Sequence, residues 1–522
     1  MTPKTGKRLT LHTAATGLVL ALALGFSLLY LYVGLARVSY PYSLDFIEDS
    51  LVMQAWRAMQ AEPTYLASNA DYVPNVYMPL YPWLGGLLFK WTGPGFTPLR
   101  ALSFAATLAT AGLVYWIAGR ESRSRLLAFG CAGLFLAGYR LAGGWYELAR
   151  VENLYVLLTL AGVAAAIYRP PRPGGLALAG VLLGLSFLTK QHGLIFGAGT
   201  FVFLLMSAGR RAWLFAAAFA LFGLAPFWLA NRASDGWLAT YTFGVAYASP
   251  VEAGRVVETL RHEIFGAMLL LTLAWIGAPL AAFGRLGWRP GLRRLLGSHP
   301  WPIFIAAAVL VTIVTRASVG GARQNYILGY AFLCLAPALM TAEMTARWPA
   351  GGGRAYSALL LGLSLQFGLS WSPAIHRAFQ IHNATQFVPT AEMRAGGDRL
   401  IERIAAVEGP VFVMMHPPYA LMAGKEPSVH IQSLWHARYR GRDRLPADLV
   451  ARIESQYYAL IISNVSPHFE SEPALVKLLE THYRQAEVLP PSVGPPTLSG
   501  LISRPQVLYV PRQAQAAPAG LP

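Results

Sequence analysis

Long apolar runs, each closed by a few polar residues, organise this chain. The first extends from Ala14 to about Leu35, behind Lys4, Lys7 and Arg8. It is too long for the apolar core of a signal peptide, and no small-residue cleavage site follows, so it predicts an uncleaved first membrane span. Further runs centre on 99–118, 126–142, 153–168, 175–189, 191–208, 212–230, 263–283, 301–315, 326–345 and 355–371. Each has to cover roughly 30 Å of hydrocarbon at about 1.5 Å per residue, which predicts about eleven transmembrane helices.

Between and beyond these runs the periodicity changes. From Leu51, apolar Val52, Ala55, Trp56 and Met59 oppose Gln54, Arg57 and Gln60, the pattern of a helix lying in the membrane interface. The segment Tyr77-Met78-Pro79-Leu80-Tyr81-Pro82-Trp83 follows; its two prolines argue against a regular helix, and its aromatics suit the headgroup layer. After 375 the pattern is that of a soluble fold. Val411–Met415, Tyr458–Ser463 and Gln506–Val510 read as short buried strands, and Glu392–Val407 and Leu445–Gln456 as amphipathic helices. The expectation is a polytopic α-helical membrane part, 1–375, with a long outer loop at 36–98. A small α/β domain at 385–513 and a disordered Ala/Pro-rich end at 514–522 complete it.

Composition agrees with a membrane protein. Of 522 residues, 55% are hydrophobic and only 13% charged, too few to coat a soluble surface. The net charge of +17 would suit nucleic acid if it formed a stripe, but it sits in short clusters between the apolar runs. With the N-terminus inside, the cytoplasmic loops hold Arg120, Arg123 and Arg125; Arg169 and Arg172; Arg210 and Arg211; Arg285, Arg289, Arg293 and Arg294; and Arg347 and Arg354. That is the positive-inside pattern, and it sends 36–98, 143–152, 231–262, 316–325 and everything after Trp371 to the outer side. Cys131 and Cys334 both lie inside apolar runs, so no disulfide framework or thiolate metal site is expected.

The outer side carries the candidate chemistry. Asp45, Glu48 and Asp49 supply three carboxylates within five positions. The landmarks Asp45-x-x-Glu48, Tyr77-x-Pro-Leu-Tyr81-Pro, Arg150-Val-Glu152, Thr189-Lys190-Gln191 and Asn325-Tyr326 follow one another in an order that resembles bacterial GT-C glycosyltransferases. That superfamily includes protein mannosyltransferases and the lipid A aminoarabinose transferase. The resemblance covers about 40–345 and rests on the order and shared side of the motifs. It implies a multi-span fold with a soluble outer domain, placement in the bacterial cytoplasmic membrane, a polyprenyl-phosphate sugar donor, and an acidic base in the first outer loop. Asp45 is the first candidate for that base and Glu48 the second, because the adjacent pair here is Glu48-Asp49 where many members have Asp-Asp or Asp-Glu. Asp49, Tyr77, Tyr81, Arg150, Glu152, Lys190, Gln191, Arg323, Asn325 and Tyr326 are the candidate substrate-binding residues. Some GT-C relatives use a divalent ion, for which Glu152 would be the candidate ligand; nothing in the residues requires one.

The chemistry can be argued without the family. A hydroxyl that attacks an anomeric carbon must lose its proton, and a carboxylate within hydrogen-bond reach can take it. A phosphate leaving group calls for fixed cations, and Lys190, Arg150 and Arg323 all fall at outer ends of spans. Plainer readings stand beside this one. Asp45-x-x-Glu48 is also a capping-box pattern, Lys190 could simply snorkel, and Arg150 with Glu152 could be an ordinary ion pair. The histidines, His416 among them, show no metal-ligand spacing. A lipid-linked oligosaccharide polymerase or ligase, a lipid or sugar transporter, and a non-catalytic scaffold are the rival functions. No internal repeat or mid-span charge favours the transporter.

Overall fold

The computed structural model describes residues 11–168, 172–347, 352–371, 384–438, 445–464 and 473–512. Lys4, Lys7, Arg8, Arg169 and the segment 513–522 lie outside them. Each predicted apolar run contains a helix, although 126–142 leaves the helix after Ala137 and 326–345 is broken at Cys334 and Leu335. The first helices are α1 (Leu11–Val38), α2 (Phe46–Met59), α3 (Leu80–Thr92), α4 (Phe96–Ser122), α5 (Arg125–Ala137), α6 (Glu152–Tyr168), α7 (Pro173–Thr189) and α8 (Gly193–Ala208). Later helices cover Ala212–Ala233 with a π turn at Ala220–Leu224, then Leu269–Leu286, Trp301–Ala317, Tyr326–Leu333, Ala336–Arg347 and Gly352–Trp371.

Among the described residues, five segments are long and apolar enough to cross a membrane unaided: Leu11–Val38, Phe96–Ser122, Gly193–Ala233, Leu269–Leu286 and Arg323–Arg347. The third is a hairpin. Gly197 packs against the Phe219 ring and Phe201 meets Trp213 edge to face, so the chain doubles back at Gly209–Arg211. The 13 residues of α5 reach only about 20 Å, and its side chains from Gly130 to Ala137 are all buried. Small residues make this burial feasible: a methyl group on Gly133 would meet the Ala23 backbone of α1 at 2.6 Å.

The segment 36–98 differs from the sequence expectation in two ways. α2 starts at Phe46, five residues before Leu51, so Glu48 and Asp49 fall in its first turn. Its polar residues do not share one outward face: Gln54 is fully buried where α3 and the short helix Pro417–Met422 pack on the helix, whereas Gln60 is exposed. A regular helix also begins within Tyr77–Trp83. Pro79 precedes α3 and Pro82 sits in its first turn, where the missing N–H breaks no helical hydrogen bond.

The C-terminal region forms a four-stranded sheet from β1 (Val411–Val413), β2 (Leu460–Asn464), β3 (Tyr483–Val488) and β4 (Pro505–Pro511), in the order β1-β2-β4-β3. β1 and β2 are parallel; the other pairs are antiparallel. β3, Tyr-Arg-Gln-Ala-Glu-Val, was not anticipated because its exposed face is polar. This region is built onto the outer loop. Leu44 O accepts from Leu498 N and Ser499 N at 3.0 and 2.9 Å, and Tyr419 Oη accepts from Ser43 N at 3.1 Å. One apolar core joins Tyr42, Leu44 and Leu51 to Leu400, Val411, Leu460 and Leu508. The carboxyl ends of the two parallel strands therefore meet α2.

Candidate functional site

Where the helices meet the C-terminal region lies a cavity of about 650 Å³. Asp45, Tyr77, Arg150, Glu152, Lys190, Gln191, Arg323 and Asn325 all line it, drawn from five separate stretches of the sequence. Lys190 is held there because α7 ends at Thr189 and the backbone turns extended at the next residue. Arg150 and Glu152 sit at the start of α6, which aims both side chains at the same opening.

These side chains form one continuous chain of charges. Arg150 Nη1 meets Asp45 Oδ2 at 2.5 Å, its Nη2 donates to Tyr77 Oη at 2.9 Å, and its Nε lies 3.4 Å from Glu152 Oε2. Lys190 Nζ is 3.2 Å from Glu152 Oε1 and donates to Asn325 Oδ1 at 3.3 Å. Asp45 occupies the N-cap position of α2 with an extended backbone, yet its side chain makes no capping bond. The carboxylate is thereby left to the cavity. Burial raises its pKa to about 6, with Arg150 opposing the rise. That suits a group that takes up a proton near neutral pH.

Counting side chains, Arg150, Lys190, Arg255, Arg316 and Arg323 face the two carboxylates of the cavity, Asp45 and Glu152, an excess of three positive charges. Arg316 donates to Tyr326 Oη and Gly321 O at 2.9 and 3.0 Å, and Arg255 holds Ser318 O and Gly321 O at 2.8 and 2.6 Å. The loop between the helix Trp301–Ala317 and Arg323 is thus pinned open beside the cations.

Four of the candidate residues are placed elsewhere. Glu48 is fully buried behind the cavity, where its oxygens accept from Arg100 Nε and Nη2 at 2.8 and 2.6 Å, Ala149 N at 2.7 Å and Leu44 N at 2.9 Å. Burial would raise its pKa, but Arg100 and the two backbone N–H groups outweigh it and hold the carboxyl below its usual range. Asp49 faces the sheet: Ser43 Oγ donates to its Oδ2 at 2.6 Å, and His416 Nδ1 lies 3.2 Å from the same oxygen. Tyr81 Oη bonds to Leu99 O and Ser103 Oγ. Tyr326 is buried, its hydroxyl accepting from Arg316. The motif acids thus divide between roles, Asp45 to the cavity and Glu48 and Asp49 to the scaffold.

Other residues at the site carried no signal that was read. Arg37, in the last turn of α1, pairs with Glu147 at 2.5 Å and donates to Phe387 O, Gly144 O and Ser499 Oγ. A cation at that end of a span departs from the positive-inside pattern expected above, as does Arg100, and that departure could have exposed both. Gly500, with φ +69, packs so closely on Asp45 that a methyl group there would lie 2.9 Å from Oδ1. Gln432, Trp435 and His436 of the helix Ile431–Arg438 line the cavity from the C-terminal region. Among the described residues no three His, Cys, Asp or Glu side chains gather where they could hold a metal ion. Both oxygens of Glu152 face cations, a poor donor set for one.

No protein-family profile and no curated protein matches the sequence. Solved structures do. ArnT from Cupriavidus metallidurans bound to undecaprenyl phosphate superimposes with a TM-score of 0.56 at 12% identity, over 93% of this chain and 97% of that one. Its apo state gives 0.56 at 14% identity, over 95% and 98%. The apo oligosaccharyltransferase of Archaeoglobus fulgidus gives 0.52 at 11% identity, over 95% of this chain and 74% of that one. At such low identity the likeness is one of architecture, and it extends through the outer region as well as the helices: the chain has the GT-C fold.

Proposed function

We propose that this protein is a membrane glycosyltransferase. It moves a sugar from a polyprenyl-phosphate donor to an acceptor hydroxyl on the outer side of the bacterial cytoplasmic membrane. The observation that carries the reading is the single chain of charges Asp45–Arg150–Glu152–Lys190 in one cavity of a GT-C fold. That ArnT has been crystallised with undecaprenyl phosphate supports a lipid-phosphate donor. In this reading the N-terminus is cytoplasmic, about eleven helices span the bilayer, and the α/β part at 385–513 caps the outer face.

Asp45 acts as general base. It takes the proton of the acceptor hydroxyl as the new C–O bond forms at the anomeric carbon and the bond to the phosphate oxygen breaks. Arg150 keeps the carboxylate oriented, and Glu152 links it to Lys190. The cations at the far wall stabilise the charge that grows on the departing polyprenyl phosphate. Glu48 positions the loop and takes no part in proton transfer.

The test is transfer by purified protein in nanodiscs, with polyprenyl-phosphate sugars as donors. Lys190→Ala should lower turnover by a factor that corresponds to a few kcal/mol, roughly 10²–10³, with insertion and folding retained. Wild-type turnover in that variant, or activity with a nucleotide sugar in lipid-depleted protein, would refute the donor assignment.

A further inference from the structure

At the end of the helices remote from the catalytic cavity, a short helix runs from Trp288 to Gly297, inclined at 70° to the span Trp301–Ala317 that follows it. A helix set so far from the direction of a span lies close to the plane of the membrane. Its residues fit that position. Trp288, Leu292 and Leu296, four positions apart, form one exposed apolar stripe. Arg294 turns the other way and pairs with Glu343. Arg289 and Arg293 border the stripe: at about 100° per residue, Arg289 falls within about 20° of Leu296 and Arg293 within about 60°. Both are exposed, and among the described residues neither has a hydrogen bond or an ion pair. The helix packs against α8, which ends in Arg210 and Arg211, likewise exposed and unpaired among the described residues. Neither 197–215 nor 284–300 contains an Asp or Glu, so nothing within these two segments offsets the four charges.

Beside these arginines an apolar groove of about 280 Å³ runs between α8 and the helix Trp301–Ala317. Ile195, Val202 and Met206 line one side, Ile303 and Ala307 the other, and Leu296 joins them from the short helix. From Ile195 to Met206 the helix rises about 16 Å, roughly one leaflet of a hydrocarbon layer about 30 Å thick. On the same two helices His192 and Val311 stand one turn nearer the catalytic cavity, and the space that they border is only about 10 Å³. The groove therefore narrows toward the cavity, and its other end lies beside the arginines.

The two parts select one kind of ligand. An apolar groove one leaflet long takes a hydrocarbon chain, and unmatched arginines beside it take a phosphate. A lipid whose phosphate sits in the catalytic cavity has its head at the opposite end. We infer that this groove and Arg210, Arg211, Arg289 and Arg293 form a site for an anionic phospholipid of the leaflet remote from the catalytic cavity, separate from any donor site. One acyl chain lies between α8 and the helix Trp301–Ala317, and the headgroup phosphate rests on the arginines. The lipid stands between two helices whose far ends carry His192 and Arg316 to the cavity wall.

The experiment uses the full chain, purified and delipidated in detergent. Native mass spectrometry measures its binding of dioleoyl phosphatidylglycerol, dioleoyl phosphatidylcholine and undecaprenyl phosphate. Wild-type protein should bind phosphatidylglycerol at least about tenfold more tightly than phosphatidylcholine. Arg289→Gln with Arg293→Gln, at two exposed positions, should cut that preference by about ten- to thirtyfold and leave the melting temperature unchanged. Gly199→Leu fills the groove without touching an arginine; it should weaken phosphatidylglycerol by about tenfold and leave undecaprenyl phosphate unaffected. Ala307→Leu, from the facing helix, fills the same space should Gly199→Leu fail to fold. Equal affinity of the wild type for the two phospholipids would overturn the inference, as would a preference untouched by the arginine variant. So would full phosphatidylglycerol binding in the filled groove, because the arginines would then attract lipid with no chain between the helices. Loss of undecaprenyl phosphate from the filled groove would assign the groove to that lipid's chain and overturn the inference too.

Discussion

Replacing Asp45 by Asn keeps the shape of the side chain and removes both its charge and its basicity. Two energetic effects oppose each other. Burial raises the carboxyl from its usual 3.8 to about 6, against the pull of Arg150. That rise means that on the order of 3 kcal/mol is given up at neutral pH to keep the group ionised. The sign follows from proton binding. The folded state holds a proton that the unfolded chain has released between about pH 4 and 6, so this contribution favours folding at the acid end and is lost as pH rises through about 6. The cost at neutral pH is already net of the attraction to Arg150, which keeps Glu152 and Tyr77 as partners in the variant. No capping bond is lost. Asn resembles the neutral acid, so the variant should melt no lower than the wild type at neutral pH. Turnover should fall by about two to four orders of magnitude. The wild-type kcat/KM should rise with pH up to about 6 and then level off, whereas the residual activity of the variant should lack that step. An Asn variant within about tenfold of wild type, or a wild-type profile with no break near pH 6, would refute Asp45 as the base.

Glu48→Gln should do the reverse. It leaves Arg100 buried without its carboxylate, so thermal unfolding should show a loss of about 3 kcal/mol or more while the folded fraction keeps its turnover. Gly500→Ala puts a methyl group 2.9 Å from both Asp45 Oδ1 and Trp145 Cζ2, at a backbone angle that costs about 1–2 kcal/mol for an L residue. It should lower kcat by about tenfold or more with little change in donor KM. Reporters fused after Arg123, Arg211 and Arg294 should read cytoplasmic, and one after Trp371 outside; a cytoplasmic signal after Trp371 would reverse the orientation and take Asp45 off the outer face.

The apolar runs were legible because each is longer than the surrounding noise, and each contains a helix. The division of labour among Asp45, Glu48 and Asp49 was not, for a geometric reason. Read as loop residues, three acids in five positions look like one cluster. Once α2 starts at Phe46, Glu48 and Asp49 are separated by about 100° around the helix, so one turns toward Arg100 and the other toward His416 while Asp45 precedes the helix and faces the cavity. The wall supplied by Gln432, Trp435 and Gly500 had no local signature at all. A glutamine on a short helix and a glycine in a turn acquire meaning only when the C-terminal region folds against the outer loop, through contacts more than 350 positions apart in sequence such as Ser43 with Tyr419.

The outer cations sort by what they already touch. Arg37, Arg100, Arg150 and Lys190 each pair with a buried carboxylate, Lys190 sharing Glu152 with Arg150. Such pairs add little net stability, because the desolvation of both ions offsets their attraction, but they fix geometry. Arg316 bonds to a phenol and a carbonyl, and Arg255 to two carbonyls with Glu252 3.9 Å from its Nε. In the proposed reaction Lys190 and these two arginines would share the donor phosphate, with Asp45 on the side of the acceptor, so that base, anomeric carbon and leaving group stand in the order that direct displacement by a hydroxyl requires.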